Sequence, residues 1–114
     1  MHIQERPVGE VMILDLQGKL TIDEGEELLR DKVNSMLHQG FRSIILNLEN
    51  VPFVDSAGLG AAVGTFISVR NKGGTLKLLH ATKRIHDLLV ITKLVTVFES
   101  FDSEADAVGS FKAG

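Results

Sequence analysis

The chain has 114 residues, of which 44% are hydrophobic and 24% charged, and this balance fits a single globular domain over residues 1–114. Twelve lysines and arginines against fifteen acids give a formal net charge of −3, which disfavours direct binding to nucleic acid, and the lack of cysteine excludes disulfides and thiolate chemistry. No apolar run approaches the roughly 18 residues of a membrane span and the N-terminus lacks the apolar stretch of a signal peptide, so we expect a cytoplasmic protein without a membrane span.

Two strands are predicted at the start of the chain. The first contains Ile3 and ends at the Pro7-Val8-Gly9 break, and the second runs from Val11 to Leu16, which is apolar apart from Asp15. Because only a short turn separates them, we expect the two strands to pair antiparallel.

A helix is predicted next. Thr21 followed three residues later by Glu24 is the capping-box pattern, in which each side chain satisfies a backbone N–H at the start of a helix. Gly40 supplies the left-handed residue that ends it. Apolar residues recur on one helical face at Leu29, Val33, Met36 and Leu37.

Strands and helices then alternate to the end of the chain. Strands are predicted at residues 43–48, 75–79 and around Val97-Phe98, and the first of these is apolar enough to be covered on both faces. Helices are predicted after Asp55, near Thr82 and after Asp102-Ser103. In the first of these helices, residues at helical spacing are Leu59, Val63, Phe66, Ile67 and Arg70. The second is predicted to face inward with Ile85, Leu88 and Leu89, and the third carries Ala105 and Val108. This order predicts an α/β fold with parallel strands and right-handed crossovers.

The segment Asp55 to Gly60 is unusual for a helix start, because it places an acid, a hydroxyl and two glycines directly after a buried strand and its loop. The residue chemistry leaves four interpretations open. In the first, Asp55 or Ser56 caps the helix and the glycines allow tight packing. In the second, the glycines form a dinucleotide-binding turn, although no acid follows between Asp55 and Asp87 and there is no second mononucleotide half.

The other two interpretations concern the Ser56 hydroxyl. In the third, Ser56 is a catalytic nucleophile, although Val54 stands where a nucleophile elbow requires glycine. Its partner would be one of the four histidines, His2, His38, His80 and His86. In the fourth, Ser56 accepts a regulatory phosphate, because a helix N-terminus tolerates the added charge of about −1.5 to −2.

The segment Phe53-Val54-Asp55-Ser56-Ala57-Gly58-Leu59-Gly60 resembles the signature of STAS domains of the bacterial anti-sigma factor antagonist family. Similar flanking segments extend the resemblance to nearly the whole chain; they are residues 44–48, 73–78, 84–89 and 94–98. The resemblance implies one STAS domain over residues 1–114. It also implies an α/β fold with a mixed sheet of four to five strands and helices mainly on one face.

A function is implied by the same resemblance. In this family the unphosphorylated protein binds an anti-sigma factor and so releases the sigma factor. The anti-sigma factor is a serine kinase that uses Mg-ATP. It phosphorylates the serine after the aspartate, here Ser56, and the complex then dissociates. A metal-dependent serine phosphatase restores binding. The chain would then be a binder and a substrate, not an enzyme, without a cofactor or metal of its own. Ala57 departs from the Ser or Thr that members often carry, which leaves Ser56 as the acceptor.

A docking surface is implied on the two loops at one end of the sheet. The loop before the first helix should lie beside Asp55, because both follow strands that run the same way. A structural role for this loop, with Thr21 as the cap and the acids facing the helix dipole, is compatible with partner contact. Two alternative functions stay open: a docking subunit of a larger lipid-transport or stress-sensing assembly, and nucleotide binding by the domain. The expected partner contacts are Thr21, Asp23, Asp55, Ala57, Gly58, Leu59, Gly60 and Ala61.

Overall fold

The structure, a computed structural model, describes residues 1–112, which form five strands and four helices that alternate after the first two strands. Two short 3-10 turns, Leu94–Thr96 and Ser110–Lys112, follow the third and fourth helices. The strands are β1 His2–Val8, β2 Val11–Gln17, β3 Ser43–Asn50, β4 Thr75–Leu79 and β5 Ser100–Phe101. The helices are α1 Glu26–His38, α2 Ser56–Asn71, α3 Lys83–Ile91 and α4 Glu104–Gly109.

The five strands form one mixed sheet in the order β1-β2-β3-β4-β5. β1 and β2 pair antiparallel across a turn in which Gly9 adopts a φ of +60°, and every other neighbouring pair is parallel. β3 lies at the centre, and its apolar residues are buried on both sides of the sheet. The predictions of an antiparallel first pair, a central β3 and a mixed sheet are confirmed.

Alternate residues of the strands feed two separate cores. One core joins Leu14 and Leu46 to buried residues of α1, α2 and α3, whereas Ile13 and Ile45 pack on the opposite side with Ala107 of α4. Since three of the four helices cover the first side, the expectation of helices mainly on one face is confirmed. The apolar face predicted for α1 is fully buried, and Gly40 ends that helix region with a φ of +99°.

The predicted capping box at the start of α1 is wrong. α1 begins at Glu26, after Gly25 turns the chain with a φ of +91°, and no side chain caps it. The Thr21 hydroxyl does accept from the Glu24 N–H (3.1 Å), but inside a separate turn before the helix. The Glu24 carboxylate accepts instead from the Met1 amino group and the Lys19 N–H, both at 3.1 Å. The Thr21–Glu24 pattern predicts that the Glu24 carboxylate caps the helix. The carboxylate instead binds the amino group of Met1, a residue distant in sequence.

The strand predicted around Val97-Phe98 is also wrong, since β5 begins only at Ser100. Phe98 is buried because it follows the 3-10 turn and packs edge-to-face on Phe66, with ring centroids 5.2 Å apart. Burial of an aromatic side chain in an irregular segment imitates the apolar pattern of a strand.

The structure adds detail to two of the predicted helices. Leu59, Val63 and Phe66 of α2 are partly buried against the main core, whereas Ile67 and Arg70 are exposed. In α4, Ala105 is exposed and Ala107 is the buried residue. The buried positions of α2 are Gly58, Ala61, Thr65 and Val69.

Candidate functional site

The loop before α1 and the loop before α2 lie side by side at the carboxyl edge of the sheet. The Leu20 N–H donates to the Phe53 carbonyl (3.0 Å), and the Asp55 N–H donates to the Leu20 carbonyl (3.3 Å). Leu20 itself is buried in the main core. The expectation that the first loop lies beside Asp55 is therefore confirmed, and two loops distant in sequence form one surface.

The Asp55 carboxylate joins these two loops. One oxygen accepts from the Gly58 N–H (2.8 Å) and caps α2, and the other accepts from the Ile22 N–H (3.1 Å) in the first loop. The hydrogen bond from the Gly58 N–H is the main cause that holds the pKa of the Asp55 carboxyl below its usual range, and the Ile22 N–H adds to it. Asp55 therefore caps the helix, as the first interpretation of the motif proposed, and it also fixes the loop that carries Ile22.

Removal of the Asp55 carboxylate should destabilise the fold. We expect Asp55→Ala to lower the midpoint of thermal unfolding by about 4–8 °C at neutral pH, and Asp55→Asn, which keeps a capping oxygen, to lower it less. Because the pKa of Asp55 is lower in the folded state, its contribution is fully present above about pH 4 and declines as the pH falls through the lowered pKa. Thermal unfolding followed by circular dichroism should therefore show the difference between wild type and Asp55→Ala narrowing only below about pH 4. A difference that widens there would contradict this role.

Ser56 is the first residue of α2 and is exposed at the mouth of the helix. The four histidines are spread over three parts of the molecule. His2 and His80 line a polar depression on the α4 side of the sheet, His38 is the last residue of α1, and His86 is exposed on α3. This distribution gives no support to Ser56 as a nucleophile activated by histidine.

Packing against backbone explains one of the three glycines of α2. A Cβ atom on Gly58 would lie 1.9 Å from the Leu20 carbonyl oxygen, and one on Gly64 would lie 2.5 Å from the guanidinium of Arg30. Gly60 has open space around it. Since Gly58 is needed for close approach of the Leu20 backbone, whereas the Arg30 side chain beside Gly64 can move aside, the glycine spacing gives no support to a dinucleotide-binding turn.

The predicted partner contacts divide into surface and interior residues. Asp23 and Gly60 are exposed, and Thr21, Ala57 and Leu59 are half-buried. Gly58 and Ala61 are buried, so neither lies on the surface that a partner would meet, and this part of the predicted set is corrected. Five consecutive residues of a helix point in all directions, and only some of them share a face.

Two exposed apolar residues beside Ser56 were missed by the sequence analysis. Ile22 is 68% exposed and Phe53 is 41% exposed. The only signal for Ile22 is an aliphatic residue between Thr21 and Asp23 in an otherwise polar loop. We call the exposed residues around the hydroxyl the Ser56 surface, which consists of Ile22, Asp23, Phe53, Ser56 and Gly60.

No helix among residues 1–112 has both the length and the apolar character needed to cross a membrane. Within that same range, no group of three or more histidines and acids is arranged to hold a metal ion. The Ser56 surface presents an exposed hydroxyl at the start of a helix, on the same pair of loops that carries the exposed side chains of Ile22 and Phe53.

Comparison with known sequences assigns a family. The profile of the STAS domain family matches residues 2–107. An anti-sigma F factor antagonist of Paenibacillus polymyxa is 26% identical over 98 residues, which cover 86% of this chain and 84% of the relative. An anti-sigma-B factor antagonist of Bacillus subtilis is 38% identical over 72 residues, which cover 63% of this chain and 65% of the relative.

Solved structures show the same fold. The crystal structure of a Thermotoga maritima protein matches with a TM-score of 0.88 and 26% identity, over 95% of this chain and 92% of that one. The Bacillus cell fate determinant SpoIIAA in its phosphorylated form matches with a TM-score of 0.75 and 23% identity, over 96% of this chain and 99% of SpoIIAA. At that identity the likeness to SpoIIAA is one of fold.

Proposed function

The chain belongs to the STAS domain family, and we propose that it is an anti-sigma factor antagonist whose binding to an anti-sigma factor is switched off by phosphorylation of Ser56. The observation that carries the proposal is the exposed hydroxyl of Ser56, the first residue of α2, directly after the Asp55 that caps the helix. The named relatives, which are antagonists of anti-sigma factors, support the class of partner.

The unmodified Ser56 surface is suited to docking against a protein. Ile22 and Phe53 present exposed apolar area, and burial of a large apolar side chain contributes about 1.5–3 kcal/mol when it is complete. The nearby Asp55 carboxylate already accepts a backbone N–H on each oxygen, which leaves it less dependent on water than an unpaired carboxylate. Partner contact can therefore cover Ile22 and Phe53 without stripping water from an unpaired Asp55 carboxylate.

A phosphate on Ser56 changes this surface and leaves the fold in place. It adds about −1.5 to −2 charge at the N-terminus of α2, where the helix dipole favours negative charge. In a docked complex the phosphate must lose its hydration, and exclusion of water also strengthens its repulsion with the neighbouring Asp55 carboxylate. Desolvation of a charged group without a partner costs several kcal/mol, and about 3 kcal/mol already weakens binding roughly a hundredfold.

The cycle that we propose uses two enzymes outside this chain. The anti-sigma factor is itself a serine kinase that transfers phosphate from Mg-ATP to Ser56, and a metal-dependent serine phosphatase removes it. The chain is then a binder and a substrate in the cytoplasm and has no catalytic residues. The solved structures of SpoIIAA in unphosphorylated and phosphorylated forms support the comparison, since that relative in fold exists in both states.

The kinase reaction tests the proposal. When the protein is incubated with its cognate anti-sigma kinase and Mg-ATP, we expect mass spectrometry to find one phosphate, on Ser56. Ser56→Ala should abolish it, whereas Ser100→Ala, at another exposed serine, should leave it unchanged. A phosphate that persists in Ser56→Ala would show that the acceptor is elsewhere.

A further inference from the structure

One part of the sequence carries a net positive charge because it is poor in acids. Residues 56–98 contain six lysines and arginines and one acid, Asp87, and therefore carry a formal charge of +5. Since the whole chain carries −3, the remaining residues carry −8. Asp87 is paired with Lys83 at 2.9 Å, which leaves this basic part without an unpaired carboxylate.

Exposed aliphatic side chains cluster in the same part. Four large hydrophobic residues with exposed side chains fall within eight positions, around the end of α3 and the 3-10 turn. Ile91 is 77% exposed, more than any other large hydrophobic residue among residues 1–112. We call this group the α3 tip, which consists of Val90, Ile91, Lys93, Val95 and Val97.

The α3 tip is held in place by the core. Lys93 turns the chain sharply with a φ of +63°, so that Ile91 and Val95 lie on either side of a bend. Leu89 before the tip and Phe98 after it are buried. The tip is therefore an exposed bend that is anchored at both ends, with its aliphatic side chains exposed to solvent.

The α3 tip and the Ser56 surface lie at opposite ends of the molecule. α2 and α3 each connect parallel strands, so both begin at the carboxyl edge of the sheet and end at its amino edge. Ser56 begins α2, and the tip follows the end of α3. Arg70 and Lys72 at the end of α2 are exposed on the same edge as the tip. The two surfaces can consequently be occupied independently.

The acids nearest in sequence to the α3 tip do not neutralise its positive charge. Glu99 is bound by Lys77 at 3.0 Å, and Lys77 lies on the α4 side of the sheet, over the rings of Phe101 and Phe111. None of the ion pairs found in the described part of the chain involves Lys93, Arg70 or Lys72. The α3 tip and the end of α2 therefore combine exposed aliphatic side chains with positive charges that none of these ion pairs compensates.

We propose that the α3 tip docks on the surface of a lipid bilayer that contains anionic lipids. Aliphatic side chains that enter the headgroup boundary, flanked by lysine and arginine, are the combination that such a surface attracts. Protein interfaces favour aromatic residues as anchors, and the tip has none. The positive charge and the purely aliphatic exposed side chains thus favour lipid over an acidic protein partner.

Sedimentation with vesicles tests this docking. We expect the full chain to co-sediment with vesicles of phosphatidylcholine and phosphatidylglycerol, not with phosphatidylcholine alone, and to be released by high salt. Ile91→Asn should weaken the partition about tenfold. Lys93→Asn, at a position whose positive φ asparagine tolerates, should weaken it about fivefold.

A matched substitution separates this docking from the proposed switch. Ile22→Asn alters another strongly exposed isoleucine; it should keep vesicle binding and weaken binding to the anti-sigma factor. Ile91→Asn should do the reverse and still be phosphorylated on Ser56. The proposal is overturned if the wild type does not co-sediment with anionic vesicles, or if Ile91→Asn and Ile22→Asn partition equally. Binding of the tip to immobilised polyglutamate without binding to vesicles would also overturn it and assign the tip to an acidic protein.

Discussion

Gly58→Ala is expected to destabilise the protein by about 1–3 kcal/mol in free energy of unfolding, because the added methyl group has no space. Its Cβ would lie 1.9 Å from the Leu20 carbonyl oxygen and 2.6 Å from the carbonyl carbon. These are backbone atoms whose oxygen accepts from the Asp55 N–H, so they cannot move aside without breaking the contact between the two loops. Chemical denaturation measures the loss.

Gly60→Ala is the matched control for this substitution. It lies in the same helix two residues later, is exposed, and has no heavy atom within 4 Å of an added Cβ. Alanine in a helix interior is favoured over glycine by about 0.5–1 kcal/mol, so this variant should gain stability. If the two substitutions changed the free energy of unfolding equally, contact with the Leu20 loop would not explain why position 58 requires glycine.

Ser56→Asp is expected to weaken binding to the anti-sigma kinase about a hundredfold. The carboxylate places a permanent charge beside Asp55 on the docking face. Fold stability should hold or rise by about 0.3–1 kcal/mol, because an acid in the first turn of α2 complements the helix dipole. Isothermal titration calorimetry measures the affinity, and thermal unfolding of the same samples measures the stability.

Two control variants separate the effect of a charge at position 56 from the effects of losing the Ser56 hydroxyl and of adding a charge elsewhere. Ser56→Ala should bind the kinase within a few-fold of wild type, because it adds no charge. Ser100→Asp, which charges another exposed serine, should leave the affinity unchanged. If Ser56→Asp bound as tightly as the wild type, repulsion at this position would not be the basis of the switch.

The element order could be predicted because it rests on periodicity. The apolar residues of α1 recur at helical spacing, and residues 44–48 of β3 are apolar apart from Asn47, so each pattern determines its own element. The start of α1 could not be predicted in the same way. The Glu24 carboxylate is taken by the Met1 amino group, a contact between residues far apart in the sequence.

The candidate site was predictable only in its local part. Ser56 and Asp55 belong to one short motif, and the capping role of Asp55 follows from its position before a helix. The exposure of Ile22 and the contact of Gly58 with Leu20 arise because two loops separated by more than thirty residues meet. The spacing of residues along the sequence does not indicate this contact between the loops. The sequence therefore predicts Gly58 on the docking surface, although it is buried.

The most direct test of the switch compares one preparation in two states. The protein is phosphorylated on Ser56, its affinity for the anti-sigma factor is measured by calorimetry, and the measurement is repeated after a serine phosphatase has removed the phosphate. We expect an affinity at least about a hundredfold lower for the phosphorylated protein, with full recovery after the phosphatase. Equal affinity in the two states would contradict the account.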